Sequence, residues 1–225
     1  MDSLVSIIIP HWNGIDVLSE CLDSLKQTVY PNFEIIVVDN ASTDGSGDWI
    51  KNHHPQIKLI KNDKNYGYAG GCNRGVLHAD GELVVFLNND TVQDKYWLRN
   101  LVSFINSHPD CAAVQPKILN YYERNRFDYA GGSGGHMDVL CYPFARGRIF
   151  LDQEIDSGQY DDDDRCFWAS GTAIMVRKDY YMEAGQFDEN FFAHMEEIDL
   201  CWKLQLMGYK VFVHPAAVVY HKNAV

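Results

Sequence analysis

The stretch VVFLNNDT, residues 84–91, runs four apolar residues straight into two amides, a carboxylate and a hydroxyl. Apolar runs of this length read as a strand buried on both faces. Asn88, Asn89 and Asp90 therefore stand where such a strand ends, a set of oxygen ligands with one charge among them. Two other apolar runs end in a similar way, the first in His11-Trp12-Asn13 and the second in Asp39-Asn40. In an open parallel sheet, ligands bind beyond the carboxyl ends of the strands, so the three ends converge on one crevice. Asp and Asn also cap helices and turns; that explains any one end, and the three together less well.

A second group of carboxylates, Glu196, Glu197 and Asp199, opens a helical pattern. At about 100° per residue, Glu197 projects between Leu200, Cys201 and Leu204, an apolar sector. Asp199 points elsewhere and has Lys203 four residues on, an ordinary surface pair. Glu196 lies between these directions. A carboxylate on an apolar sector lines a cleft or has a buried partner, because an unpaired buried charge is costly. The competing reading is that Glu197 merely sits in a first turn, where the helix dipole favours an acid.

The elements that must position these groups alternate. Strands are expected over 4–10, 33–39, 57–60 and 82–88, and helices over 14–28, 44–53, 68–79 and 96–107. This rhythm implies βαβ units and a parallel sheet. It changes beyond Asn120: residues 121–165 are rich in Gly, Tyr, Arg and Asp and only weakly periodic. DDDD (161–164) reads as a solvated loop rather than a calcium site, since EF-hand spacing is missing. An apolar stretch over 168–176, a helix over 196–207 and a closing strand pair to Tyr220 complete the pattern. The expected fold class is α/β: one domain over 1–225, with a Rossmann-like, mostly parallel central sheet flanked by helices and a smaller sheet-and-loop region.

With 225 residues, 46% hydrophobic, the chain can build one large core. A formal net charge of −12 disfavours nucleic-acid binding, which rests on Lys and Arg neutralising phosphates. Such a surface also repels a phosphate ester unless a metal ion or local N–H groups intervene. Six scattered cysteines without a C-x-x-C pair argue against a zinc site and a disulfide framework. Neither a signal peptide nor a bilayer-length apolar run is evident, so the expectation is a soluble, cytoplasmic protein. Gly67, Gly70, Gly71 and Gly75 follow the third strand with the wrong spacing for a dinucleotide fingerprint, and no P-loop is present.

IIIPHWNG, VVDNASTDGS, NYGYAGGCNRG, FLNNDT and FFAHMEEIDLCWKLQLMGY, in that order, resemble family 2 glycosyltransferases of the GT-A fold, most of all their rhamnosyltransferase-like branch. The resemblance covers nearly the whole chain and implies a nucleotide-sugar half (1–120) and an acceptor and catalytic half (121–225). It makes Asn88-Asn89-Asp90 the counterpart of the DxD motif, whose last Asp holds Mn²⁺ or Mg²⁺ on the donor diphosphate; Asn88 departs from it at the first position. His221 matches a late metal ligand, although by itself it is one of nine histidines. Asp39 matches the acceptor of a pyrimidine N3–H. Pro10 and Trp12 match positions flanking the base, with Asn13 beside them, and Asn65 and Gly67 line base and ribose. Arg74 reaches a phosphate or is a surface arginine. Gly171 and Thr172 pass beside the donor sugar. Trp168 faces the acceptor or belongs to the core. Arg146 and Arg148 are weaker candidates for a lipid-linked diphosphate.

The resemblance also implies an inverting transfer, which needs a base to take the acceptor hydroxyl proton. Glu197 occupies the place where the family has Asp and is the first candidate; Glu196 is the second. The reading is transfer from dTDP-rhamnose or a UDP-hexose to a glycan or lipid-linked acceptor in bacterial surface polysaccharide synthesis. Relatives commonly continue past the His221 position, and a further segment would be one source of peripheral association with the membrane. Two other classes stay open. A sugar-nucleotide pyrophosphorylase should carry a Gly-rich basic signature where this chain has HWNGID. A non-catalytic nucleotide- or partner-binding domain has some footing in Asn88, and intact Glu197 and Asp90 speak against it.

Overall fold

The apolar runs and helical periods resolve into a three-layer arrangement. The computed structural model describes residues 2–222. From the amino terminus, β1 (Val5–His11), α1 (Ile15–Leu25), β2 (Phe33–Asp39), α2 (Ser46–His53), β3 (Lys58–Lys61), α3 (Gly67–Val76) and β4 (Leu83–Leu87) alternate as expected. Next come β5 (Thr91–Gln93), α4 (Trp97–Ser107) and β6 (Cys111–Asn120). Five short strands occupy the glycine-rich segment: β7 (Gly135–Met137), β8 (Pro143–Ala145), β9 (Arg148–Ile149), β10 (Asp152–Gln153) and β11 (Asp164–Cys166). Then follow β12 (Ala173–Arg177), α5 (Lys178–Glu183), α6 (Glu196–Leu206) and β13 (Lys210–His221).

A nine-stranded sheet runs β11-β13-β6-β12-β4-β1-β2-β3, with β5 paired to β13. β1, β2, β3 and β4 are mutually parallel; β12 is antiparallel to both β4 and β6, and β13 runs parallel to β6. Side chains alternate across a strand, so each central strand feeds two cores. Ile7, Ile9, Val37, Val85 and Met175 pack with α1 and α4 on one face. Ile8, Ile36, Val38, Phe86 and Ile174 pack with α3 and α6 on the other. The continuous apolar runs exist because both faces are covered.

Besides β5 and α5, which the periodicity did not mark, three segments differ from the sequence expectation. The closing strand pair is one long strand, β13, whose pairing with β6 shifts register between His214 and Val218. β6 was not foreseen, because Gln115, Pro116 and Lys117 interrupt its apolar pattern. All nine residues from Cys111 to Leu119 are nevertheless buried. Gln115 accepts from Ser170 N–H (2.8 Å) and donates to the Gly131 carbonyl (2.9 Å), and Lys117 pairs with Asp156 (2.7 Å) and Asp161. DDDD is correspondingly more than a solvated loop. Asp161 meets Lys117, Asp163 meets His214 (2.5 Å) and Asp164 meets Arg146 (3.0 Å), so three of the four carboxylates pin the segment to its surroundings.

Helix α3 lies close against the sheet because Gly75 has no side chain. A Cβ there would stand 2.4 Å from Ile8 Cγ2 and 3.1 Å from Val38 Cγ2. Gly75→Ala should destabilise the fold by about 1–3 kcal/mol through overpacking, despite a helix-propensity gain of about 1 kcal/mol. Urea unfolding reads this directly; an unchanged or higher midpoint would show that α3 is not held so near the strands.

Candidate active site

Because β1, β2, β4, β6 and β13 point the same way, their carboxyl ends share one edge of the sheet. β12 runs against them and brings its beginning there: Ala173 pairs with Leu87, and the Asn88 N–H donates to the Thr172 carbonyl (3.0 Å). The edge thus collects His11, Asp39, Asn88–Asp90, Asn120, Gly171–Thr172 and His221 from six parts of the sequence.

Its β1–β2 side is tightly cross-linked. Asn13, at φ 57°, accepts the Thr43 N–H through Oδ1 (2.8 Å) and donates its own N–H to Ser42 Oγ (2.9 Å), joining the loops after β1 and β2. Asn is among the side chains that tolerate this left-handed backbone. Asp39 is buried and accepts the Ser42 N–H (2.8 Å). Asn40 donates to the Gly67 carbonyl (3.0 Å) and accepts from Asn62 (2.7 Å), so it carries the β2 end to the start of α3. Asn65 accepts the Gly67 N–H (2.8 Å). Pro10 lies against α3 at Gly71, where a Cβ would come within 3.0 Å of it. Trp12 is 57% exposed, with its ring open to a stacking partner. Asn89 Nδ2 donates to Nδ1 of buried His11 (2.8 Å), which leaves the His11 proton on Nε2, a buried atom without a hydrogen-bond partner. Burial lowers the His11 pKa, against the opposing pull of Asp39 and Asp44.

Beyond Asn89, buried Asp90 Oδ1 stands 3.2 Å from His221 Nε2, its ion-pair partner, and has no hydrogen bond from any other group. The other ring nitrogen of His221 is 2.9 Å from Asp128 Oδ1. Burial disfavours the imidazolium, but its bonds to Asp128 and Asp90 outweigh that and raise the His221 pKa to about 9. A carboxylate oxygen and an imidazole nitrogen facing one another suit a Mn²⁺ or Mg²⁺ ion whose other ligands are phosphate and water oxygens.

Glu196 lies beside Gly171, next to the Thr172 that binds Asn88, and Glu197 follows it at the start of α6. Glu196 is 3% exposed, and its pKa is pushed up to about 7, first by burial and then by the neighbouring Glu197 charge. Glu197 is half-buried and also raised, chiefly by burial. One oxygen of each, Oε2, is buried without a partner. Met195, at φ 73°, turns the chain into α6 and sets both acids in its first turn. A Cβ on Gly171 would lie 3.8 Å from Glu196 Oε1, and Tyr68 donates its hydroxyl to the Gly171 carbonyl. Asp199 pairs with Lys203 on the surface (2.5 Å), as its spacing suggested.

Two expected site residues are otherwise engaged. Arg74 does not extend toward a phosphate: its guanidinium stacks on Tyr66 at 3.4 Å and meets Glu189 at 3.1 Å. Trp168 packs in the core. It is 7% exposed, donates its indole N–H to the His136 carbonyl (2.9 Å) and packs directly on Gly135, where no Cβ would fit. Arg146 is likewise occupied by Asp164 and the Ser133 carbonyl. Sequence reasoning missed Tyr68, Asn40 as a bridge and Asp128. Nothing in their spacing marks them, since each acts on residues distant in the chain.

Comparison with known proteins follows this geometry. The model of "Glycosyl transferase family 2" matches residues 6–181. The chain is 30% identical over 230 residues to the O-antigen biosynthesis protein RfbC of Myxococcus xanthus, covering 98% of this chain and 17% of that one. It is 25% identical over 222 residues to the N-acetylglucosaminyl-diphospho-decaprenol L-rhamnosyltransferase of Mycobacterium tuberculosis, covering 91% of this chain and 72% of that one. The chain spans 24% or less of the length of the first curated relatives it matches. The crystal structure of GalNAc-T7 with UDP, GalNAc and Mn²⁺ aligns with a TM-score of 0.78 at 16% identity, over 99% of this chain and 44% of that one, a likeness of fold.

Burial of Glu196 carries a stability cost with a definite sign. Its pKa rises from an ordinary 4.5 to about 7 on folding, so between these values the folded state holds more protons than the unfolded one. Stability therefore falls as pH climbs through that window and stays lower above it. Glu196→Gln should stabilise the protein by up to about 3 kcal/mol at pH ~8 and by little at pH ~4.5. Denaturant unfolding at the two pH values checks this; equal effects at both would contradict the buried, unpaired carboxylate.

Proposed function

Since the chain belongs to glycosyl transferase family 2 and has the GT-A fold, we propose that it moves a sugar from a nucleoside diphosphate to an acceptor hydroxyl with inversion. The observation that carries this reading is the pair of acids, buried Glu196 and half-buried Glu197, each with a buried unpartnered oxygen, with Glu196 beside Gly171, whose neighbour Thr172 binds Asn88. An acid kept from solvent and from partners at a cost to stability is what a general base at a reaction centre requires.

In this reading Asp39 accepts the N3–H of a pyrimidine and Trp12 covers its face, with Asn13, Asn65 and Gly67 shaping the cradle. Pyrimidine recognition favours UDP or dTDP donors, and the rhamnosyltransferase among the relatives keeps dTDP-rhamnose beside a UDP-hexose. Asp90 and His221 hold Mn²⁺ or Mg²⁺, with Asn88 and Asn89 next to them. A divalent ion there supplies electrophilic stabilisation of the leaving diphosphate and relieves the repulsion between a phosphate ester and a chain of net charge −12. Glu197 takes the proton of the acceptor hydroxyl as the sugar carbon is attacked. Glu196, raised by burial and by the neighbouring Glu197 charge, is the second candidate for the base. Burial brings the pair toward neutrality, where a base is both ionised and strong enough to act. The acceptor is a glycan or a lipid-linked sugar of a bacterial surface polysaccharide, in keeping with the O-antigen protein among the relatives. Among the described residues no helix is long and apolar enough to cross a membrane. A cytoplasmic site of action, peripheral at the membrane where the acceptor is lipid-linked, belongs to this proposal. So does the division into a nucleotide-sugar half (1–120) and an acceptor half (121–225).

Thermal unfolding with UDP, dTDP or GDP, each with and without Mn²⁺, tests the donor site. A nucleotide at 100 times its Kd adds about 2.7 kcal/mol of stability. The expected pattern is a shift with UDP or dTDP that grows with Mn²⁺ and loses that increment in Asp90→Ala. Silence from every nucleotide would return the non-catalytic binding-domain reading.

The base is tested by nucleotide release from UDP- and dTDP-sugars, with water standing in for the acceptor. Glu197→Gln should slow release by roughly 10²–10⁴-fold while keeping the nucleotide shift. The wild-type rate should rise with pH through an apparent pKa above the ordinary carboxylate range. Unchanged turnover in Glu197→Gln would transfer the role to Glu196.

A further inference from the structure

Asp128 lies in none of the motifs that mark the site, yet it is fully buried beside it. It is rigidly placed: its N–H donates to the Ile118 carbonyl (3.0 Å), and its Oδ1 accepts the Ala130 N–H (3.0 Å). The same oxygen is 2.9 Å from His221 Nδ1. His221 is fixed on the backbone side as well. It stands in register with Asn120 of β6 and Thr91 of β5, and its carbonyl accepts the Tyr121 N–H (2.9 Å). The Lys222 N–H meets the Asp90 carbonyl (3.0 Å), which ties the two metal-side residues together.

A neutral imidazole has one N–H, and an ionised carboxylate can only accept. With the proton on Nδ1 bonded to Asp128, the lone pair of Nε2 faces Asp90 Oδ1 at 3.2 Å, and that oxygen has no other hydrogen bond. Two lone pairs at this distance repel, so a cation lies between them: the second ring proton of the imidazolium when no metal is bound, and a divalent ion in that proton's place. Ligand atoms at about 2.1 Å from a metal, on adjacent octahedral corners, are about 3 Å apart, which matches the observed separation. From this geometry we propose that Asp128 is a positioning residue: it holds His221 in the Nδ1–H tautomer and turns Nε2 toward the divalent ion shared with Asp90. A carboxylate behind a ligating histidine fixes the ring and raises its basicity. Asp128 sits at the head of the glycine-rich segment that builds the acceptor side, so the same bond couples that segment to the metal. The inference rests on the metal-dependent reading above.

Two measurements test it. In wild-type protein labelled with ¹⁵N-histidine and saturated with UDP and Mg²⁺, nitrogen NMR should show His221 protonated at Nδ1 only, with Nε2 ligated. His221→Asn supplies the assignment. A His221 protonated at Nε2 in that complex overturns the proposal. The second is the Kd of Mn²⁺ in the presence of UDP, read from the paramagnetic resonance of free Mn²⁺. In Asp128→Asn the amide can donate to Nδ1 and move the ring proton to Nε2, so Mn²⁺ binding should weaken about 10–100-fold. UDP binding without metal should be unchanged. Equal Mn²⁺ affinity in wild type and Asp128→Asn overturns the role. A wild type that binds no Mn²⁺ with UDP refutes the metal-dependent reading itself, a result distinct from the other two. Should the variant fail to fold, the NMR measurement on the wild type decides alone.

Discussion

Strand β12, inserted antiparallel between β4 and β6, is the constraint on which the rest of the structure depends. Its neighbours deliver their ends to the reactive edge, and it delivers its beginning. Gly171 and Thr172 therefore lie beside Asn88, joined by a single backbone hydrogen bond of 3.0 Å. Beside Gly171 stands Glu196 at the start of α6, with Tyr68 bonded to the Gly171 carbonyl. A parallel strand in this place would carry Gly171 and Thr172 to the far side of the sheet, away from Asn88 and Asp90.

The second constraint is the low tolerance of a protein interior for charge. Where the chain can neutralise a buried charge it does so: Lys117 inside β6 holds Asp156 and Asp161, and Arg146 holds Asp164. Glu196 and Glu197 are exceptions, each with an oxygen left without a partner. Asp90, by contrast, is held by His221 at 3.2 Å. The unsatisfied carboxylates thus stand side by side at the start of α6, while ion pairs secure the glycine-rich segment. Local stability is lower where chemistry is proposed and is recovered where the fold needs support.

The first half was the more legible. Helices and strands from β1 to α4 are long, periodic and covered on known faces, so their limits in the structure differ from the expected ones by few residues. β6 escaped notice because its polar residues are satisfied only by distant partners. Trp168 and Arg74 show the same limit in the site: both residue types suit a ligand, and both are already occupied by Gly135, Glu189 and Tyr66. Asp128 lay in a segment with no readable period, and its contact with His221 spans 93 positions.

The sequence by itself determined the α/β class, the gathering of polar residues at the strand ends, the ordered motifs of the family and the acids at the start of α6. Those follow from hydrophobic period and local spacing, which neighbouring residues encode. Tertiary structure alone decided which acid is the more deeply buried, which aromatic faces solvent and which carboxylate stands behind His221. Burial and pairing depend on residues brought together across the whole chain, and no local pattern carries that information.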